Sequence, residues 1–150
     1  MTEPAALPTD DRHRVYEDRN RAGPFVTDRN RPFWTGGSNG SLMIVRCQAC
    51  GYHIHPPQPV CPVCHSFDVA AVAMSGRGFL YSFTICRYTW FEALPAPYVV
   101  AQVELVEQPG LILMSNLIEC YEDDLEVGMS VEVCFAEHGG LFVPLFRPAL

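Results

Sequence analysis

Cys47, Cys50, Cys61 and Cys64 form two C-x-x-C pairs with ten residues between them. Each C-x-x-C step is a tight turn that aims two sulfurs at one point, and two such turns at this spacing supply the four thiolates of a tetrahedral zinc site. The steps Cys50-Gly51 and Cys61-Pro62-Val63-Cys64 agree with this, because glycine and proline favour a sharply turned backbone. One C-x-x-C alone would suit a redox dithiol, and four cysteines would suit two disulfides. Two matched pairs favour metal. Met1 to Asp11 carries acids and no apolar h-region, so nothing there indicates a secretory leader or an oxidising compartment. The site is expected to be closed and structural, with iron as the lesser occupant. His53, His55 and His65 stand beside it, but a full set of four cysteines leaves them as ordinary loop residues.

The elements that must hold these sulfurs can be read on either side of them. Asp28 to Gly37 suggests a short helix capped by Thr27 or Asp28, with Phe33 and Trp34 as its anchors and Gly36-Gly37 as its stop. Ser41 to Arg46 reads as a strand leading into the first pair, and Phe67 to Met74 as a strand leading out of the second. After Gly76 the pattern is purely β, with strands at about Gly78–Cys86, Tyr98–Val106, Leu111–Ile118, Met129–Ala136 and Leu141–Arg147. Gln108-Pro109-Gly110 separates the second and third of these, and His138-Gly139-Gly140 closes the last two as a tight hairpin. Tyr121 to Val127 allows one helical turn, its Glu122, Asp123 and Asp124 placed at the positive end of the turn. Five strands with one helical element between the third and fourth is the arrangement of an OB-fold barrel. The fold class is therefore mainly β. Residues 1–27 form an N-terminal arm, 28–74 the helix and rubredoxin-like zinc ribbon, and 75–150 the five-stranded barrel.

Composition narrows the function. A hydrophobic fraction of 49% with 18% charged residues excludes a disordered chain, and no apolar run approaches the length of a membrane span. A cytoplasmic protein is expected. There is no lysine, and residues 1–31 hold six arginines against six acids. The other 119 residues hold four arginines, Arg46, Arg77, Arg87 and Arg147, against eleven acids, and so carry the whole net charge of -7. Nucleic-acid affinity comes largely from cations on phosphate, which this part of the chain lacks.

Three features outside the cysteines are candidate contact sites. Arg77 lies between Gly76 and Gly78, where a lean backbone would let a ligand phosphate or a partner carboxylate approach; the plainer reading is a turn with a solvated cation. Tyr88, Trp90 and Phe91 lie in Arg87 to Pro97, a long connection for a hairpin. They could stack on bases, anchor a protein partner, or fold back over the barrel mouth. Phe33 and Trp34 form the third candidate. Arg46, just before Cys47, is placed to screen the thiolates. Cys86, Cys120 and Cys134 lie among apolar neighbours, where free cysteine behaves as a small hydrophobe, and His138 has no visible partner to make it a base. No catalytic residue is assigned.

Phe33-Trp34, Arg46-Cys47 to Gly51, Pro56-Pro57, Cys61 to Cys64, Ser75 to Gly78, Tyr81-Ser82, Pro97 to Val100, Ser115-Asn116-Leu117 and Gly128-Met129 together resemble one family. It is domain of unknown function 35, the acyl-CoA-associated zinc-ribbon/OB-fold proteins, and the resemblance covers Asp28 to Pro148. It implies an accessory, non-catalytic subunit of a thiolase-like enzyme, with a hot-dog-fold hydratase as a further companion. Acyl-CoA metabolism of lipid, steroid or aromatic thioesters is implied with it, CoA touching this chain or only its partner. The competing readings are a single-stranded nucleic-acid module and a stand-alone acyl-CoA-binding protein.

Overall fold

The computed structural model describes residues 23–150, so most of the expected arm, residues 1–27, lies outside the described residues. α1 (Arg31–Thr35) is the first element among the described residues. Thr27 and Asn30 bond each other in the turn before it: Thr27 N–H donates to Asn30 Oδ1 at 2.7 Å and Asn30 N–H to Thr27 Oγ1 at 3.3 Å, while no side chain caps the helix itself. The α-helix ends where the glycines begin, with Gly36 as its C-cap, but the chain does not reverse there. Gly36–Asn39 continue as a turn of 3-10 helix, and the reversal comes at Gly40, in the left-handed region at φ 69°. Gly36 and Gly37 also serve close approach. A Cβ on Gly37 would stand 2.4 Å from Phe142 Cβ and 2.6 Å from the Phe135 ring, so its bare backbone lets the turn seat on the barrel. Gly37→Ala is expected to lower stability by about 1–3 kcal/mol, read from the thermal melting midpoint, because Phe142 Cβ cannot move without its strand and the Phe135 ring packs against the barrel core.

β1 (Leu42–Cys47), β2 (His53–Ile54) and β3 (Val69–Met74) form an antiparallel sheet in the order β2-β1-β3. β2 has only two residues, too few for a period to show in the sequence. β1 serves two layers at once. Leu42 and Ile44 belong to the barrel core, whereas Val45 and Cys47 join Ile54 and Cys61 in a small separate core beside the sulfurs.

The barrel comprises β4 (Arg77–Cys86), β5 (Tyr98–Leu105), β6 (Ile112–Leu117), β7 (Ser130–His138) and β8 (Leu141–Pro148). It closes in the order β4-β5-β6-β8-β7, with β6 and β8 parallel, as in an OB-fold. β4 contains a bulge between Leu80 and Ser82. One extra residue, Tyr81, inverts the inward parity: Leu80 faces the core before it, Phe83 and Ile85 after it. β7 and β8 are joined by Gly139-Gly140 at φ 57° and 81°, with His138 opposite Leu141, the two-residue hairpin that the sequence calls for. The expected helical turn is a three-residue 3-10 turn, Glu122–Asp124. Its three acids lie in the first turn, as expected. Glu122 also takes a two-pronged ion pair from Arg87, at 3.0 and 2.8 Å. No described helix is long and apolar enough to cross a membrane.

The ribbon is tied to the barrel by the β5–β6 turn. Gln108 accepts from His53 N–H at 2.8 Å and donates from Nε2 to His53 O at 3.1 Å, imitating a strand partner for β2. Glu107 accepts from Ser75 N–H at 2.7 Å. Burial would raise the Glu107 carboxyl, but the Ser75 and backbone hydrogen bonds and the charge of His53 outweigh it and hold the group below its usual range.

Candidate metal centre and contact surface

The two cysteine turns repeat one local design. In the first, Cys47 N–H donates to Tyr52 O at 2.8 Å and Gly51 N–H to Cys47 O at 2.9 Å. In the second, Cys61 N–H donates to Ser66 O at 2.9 Å and His65 N–H to Cys61 O at 3.0 Å. The residue after each second cysteine is left-handed: Gly51 at φ 82° and His65 at φ 61°. For histidine that conformation is uncommon, and only the repeat's alignment with Gly51 signals it in the sequence.

All four sulfurs lie within 4.8 Å of one another, with Cys47 and Cys64 at 3.5 Å and Cys50 and Cys61 at 3.6 Å. Zinc–sulfur bonds of about 2.3 Å place tetrahedral sulfurs about 3.8 Å apart, so the set fits the ion. The backbone prepares it. Cys50 N–H points at Cys47 Sγ at 3.5 Å and Val63 N–H at Cys61 Sγ at 3.4 Å. The Cys50 N–H, against the opposing effect of burial, is the chief cause that lowers the Cys47 thiol to about 6. Burial opposes ionisation of Cys61, but the N–H groups of Cys64 and Val63 bring its thiol down. Cys64 is the reverse. The Ser66 N–H lowers it, yet its contacts with the other three sulfurs, Cys47 first, and burial push it up to about 12. The first thiolate forms readily and the last resists, which is the electrostatic setting that a dication relieves. The Arg46 guanidinium lies across Gly51, 2.8 Å from where a Cβ would stand, at the flank of the first turn.

Among the other candidates, Arg77 is exposed at the start of β4, opposite Glu132. Its lean flanks serve the chain itself: a Cβ on Gly76 would meet Val133 at 2.3 Å, and one on Gly78 would meet Val103 at 2.6 Å and the Glu104 carbonyl at 2.7 Å. Phe33 and Trp34 part company. Phe33 packs against the barrel core, edge-on to Trp34 at 4.7 Å and tilted against His55 at 5.1 Å. Burial under this contact holds His55 below its usual pKa. Trp34 is half-buried, and its Nε1 finds no acceptor among the described residues.

Tyr88, Trp90 and Phe91 are 65%, 67% and 71% exposed, so the loop does not fold back to cover them. Its own bonds order it. Arg87 is held by Glu122, Thr89 Oγ1 accepts from Ala96 N–H at 2.9 Å, Phe91 bridges to Leu94, and Tyr88 meets Trp90 edge-on at 4.8 Å. Phe91, Glu92, Ala93 and Leu94 line a largely apolar cleft of about 600 Å³ together with Trp34, Val143 and Pro24. The sequence offered no sign that Trp34 and this loop share a wall. Of the spare cysteines, Cys120 and Cys134 are buried in core clusters. Cys86 is half-buried, donates to Tyr88 O at 3.4 Å, and is lowered chiefly by its hydrogen bond with Tyr98. His138 is half-buried, with Gly23 against its ring.

Residues 34–70 match the family description "ChsH2, rubredoxin-like zinc ribbon domain", and residues 71–136 match "ChsH2, C-terminal OB-fold domain". A probable enoyl-CoA hydratase alpha subunit of Thermomonospora curvata is 40% identical over 125 residues, covering 82% of this chain. The chain spans only 39% of that relative's length. A DUF35 domain-containing scaffold protein of Methanothermobacter thermautotrophicus is 34% identical over 92 residues, covering 60% of this chain and 68% of the relative. Among solved structures, a chain of an Ltp2-ChsH2(DUF35) aldolase superposes with a TM-score of 0.75 at 38% identity, covering 85% of this chain and all of that one.

Proposed function

The chain belongs to the DUF35 family, and on that premise we propose that it is an accessory subunit of a thiolase-superfamily enzyme acting on acyl-CoA thioesters. The observation that carries this reading is the likeness to the DUF35 chain of an aldolase, at 38% identity over the whole of that chain. Zinc held by Cys47, Cys50, Cys61 and Cys64 fixes the ribbon and takes no part in chemistry, because a set of four thiolates leaves no open position for substrate. Residues 28–74 and 75–150 act as its two units, ribbon and barrel. Trp90, Tyr88 and Phe91, with Trp34 in the same cleft as Phe91, are the partner contacts. Arg77 is a cation available to a partner carboxylate or a CoA phosphate. The test is co-purification from the protein's own cells, with the companion identified by mass spectrometry. A thiolase-like enzyme is the expected companion, with or without a hot-dog-fold hydratase, and recovery of the chain alone under gentle conditions would sink the reading.

The exposed aromatic loop could also stack on single-stranded bases, as OB-folds do. Charge weighs against it. Arg87 and Arg147 of the four arginines beyond residue 31 are committed to ion pairs with Glu122, Glu119 and Glu132. Without cations to release counterions, no retardation of single-stranded DNA or RNA is expected in a gel-shift assay at physiological salt; salt-sensitive micromolar binding would reverse the preference.

A further inference from the structure

The ribbon sheet ends at β3, which has β1 on one side and no strand on the other among the described residues. Its hydrogen-bond phase can be assigned. Gln48 N–H donates to Asp68 O at 2.8 Å, one step beyond the Cys47–Val69 pair. Bonded and non-bonded positions alternate along an antiparallel ladder, so Ala70, Val72 and Met74 bond to Arg46, Ile44 and Leu42. Ala71 and Ala73 then turn their N–H and C=O groups to the open edge. The opposite side of β1 gives the same phase: Cys47 N–H donates to Tyr52 O at 2.8 Å, which directs Cys47 and Val45 toward β2.

Sheets normally guard such an edge with lysine, proline, a bulge or a covering element. Val69-Ala70-Ala71-Val72-Ala73-Met74 has no charge and no proline, and its six-residue register is unbroken. Ala70 and Ala73 are exposed, and side chains this small let another backbone come close. Unpaired backbone groups in a straight row select an extended segment as their occupant. Charge selects which one. Exposed Asp68 stands before one end of β3, and exposed Glu107, bound to Ser75 N–H, stands at the other. A second copy laid antiparallel on this edge would bring Asp68 of each copy toward Glu107 of the other, like charge to like charge.

We propose that β3 is a docking edge that takes an extended strand of the enzyme partner, with small or aliphatic side chains and basic residues at its ends. The partner's identity rests on the accessory-subunit reading above; the edge itself does not. Hydrogen exchange on the zinc-loaded chain, alone and in complex with the co-purified enzyme, tests it. The Ala71 and Ala73 amides are expected to exchange fast in the free chain and at least tenfold more slowly in the complex, with Ala70 and Val72 slow in both. Ala71→Pro removes only an outward N–H, which an edge strand tolerates, and is expected to weaken the complex at least tenfold at unchanged zinc content and melting point. If that variant fails to fold, exchange on the natural chain decides. A complex in which Ala71 and Ala73 stay fast overturns the docking edge and leaves the accessory reading standing. Concentration-dependent protection in the isolated chain, with a dimer in ultracentrifugation, overturns it in favour of a second copy. An enzyme that does not bind at all overturns the accessory reading itself.

Discussion

One zinc ion per chain is expected by metal analysis of the purified protein, and Cys61→Ser is expected to abolish that stoichiometry. Cys61 is wholly buried in the small core with Val45, Cys47 and Ile54, so serine there both removes a thiolate and places a hydroxyl among apolar neighbours. Zinc contributes on the order of 10 kcal/mol in small thiolate sites. Val45, Ile54 and half-buried Val69 contribute at most about 2 kcal/mol each, so the ribbon cannot hold its turns without the ion. A loss of zinc affinity of about a thousandfold, ~4 kcal/mol, is expected for the variant in a competitive chelator titration, with poorer solubility and weaker partner binding alongside. Acid should release the metal from the natural protein, because the thiol held up to about 12 at Cys64 must give up its proton for zinc to bind. A folded natural chain free of tightly bound zinc or iron would refute the site.

Trp90→Ala is expected to weaken the complex with the partner enzyme by about 2 kcal/mol, roughly thirtyfold, as truncation of an aromatic anchor does. The loop is ordered by Arg87–Glu122 and Thr89–Ala96 without burying its rings, so the anchor is presented with little entropy left to lose on binding. The same exposure predicts that melting point and zinc content barely change, since a side chain 67% exposed contributes little to the core. Trp34→Ala is a different experiment. Trp34 is half-buried against Phe33 and walls the cleft, so its truncation should lower stability as well as affinity. Surface plasmon resonance beside circular dichroism separates the two effects. Normal binding by Trp90→Ala would move the interface elsewhere on the barrel.

The features that the sequence determined by itself are those with a local cause. The metal centre is legible because a C-x-x-C turn sets its own sulfurs, and its repetition leaves only their convergence to be found. The five barrel strands are legible because alternation of apolar and polar residues over six to ten positions marks which face is buried, and Gly139-Gly140 fixes one register outright. Tertiary structure decided whatever depends on a neighbour distant in sequence. Gly36-Gly37 reads only as a helix stop, which it is, and its second role appears when Phe135 and Phe142 arrive beside it. Glu122 reads as a dipole carboxylate until the fold brings up Arg87, 35 residues away. Gln108 gives no hint of reaching back 55 residues to His53, and Phe33 looks the same as Trp34 until one is turned into the core. The open edge of β3 is the extreme case, since an unpaired strand differs from a paired one only in what does not lie beside it. Sequence periodicity records the face a residue buries; it carries no record of the partner, because backbone hydrogen bonds are the same for every residue type but proline.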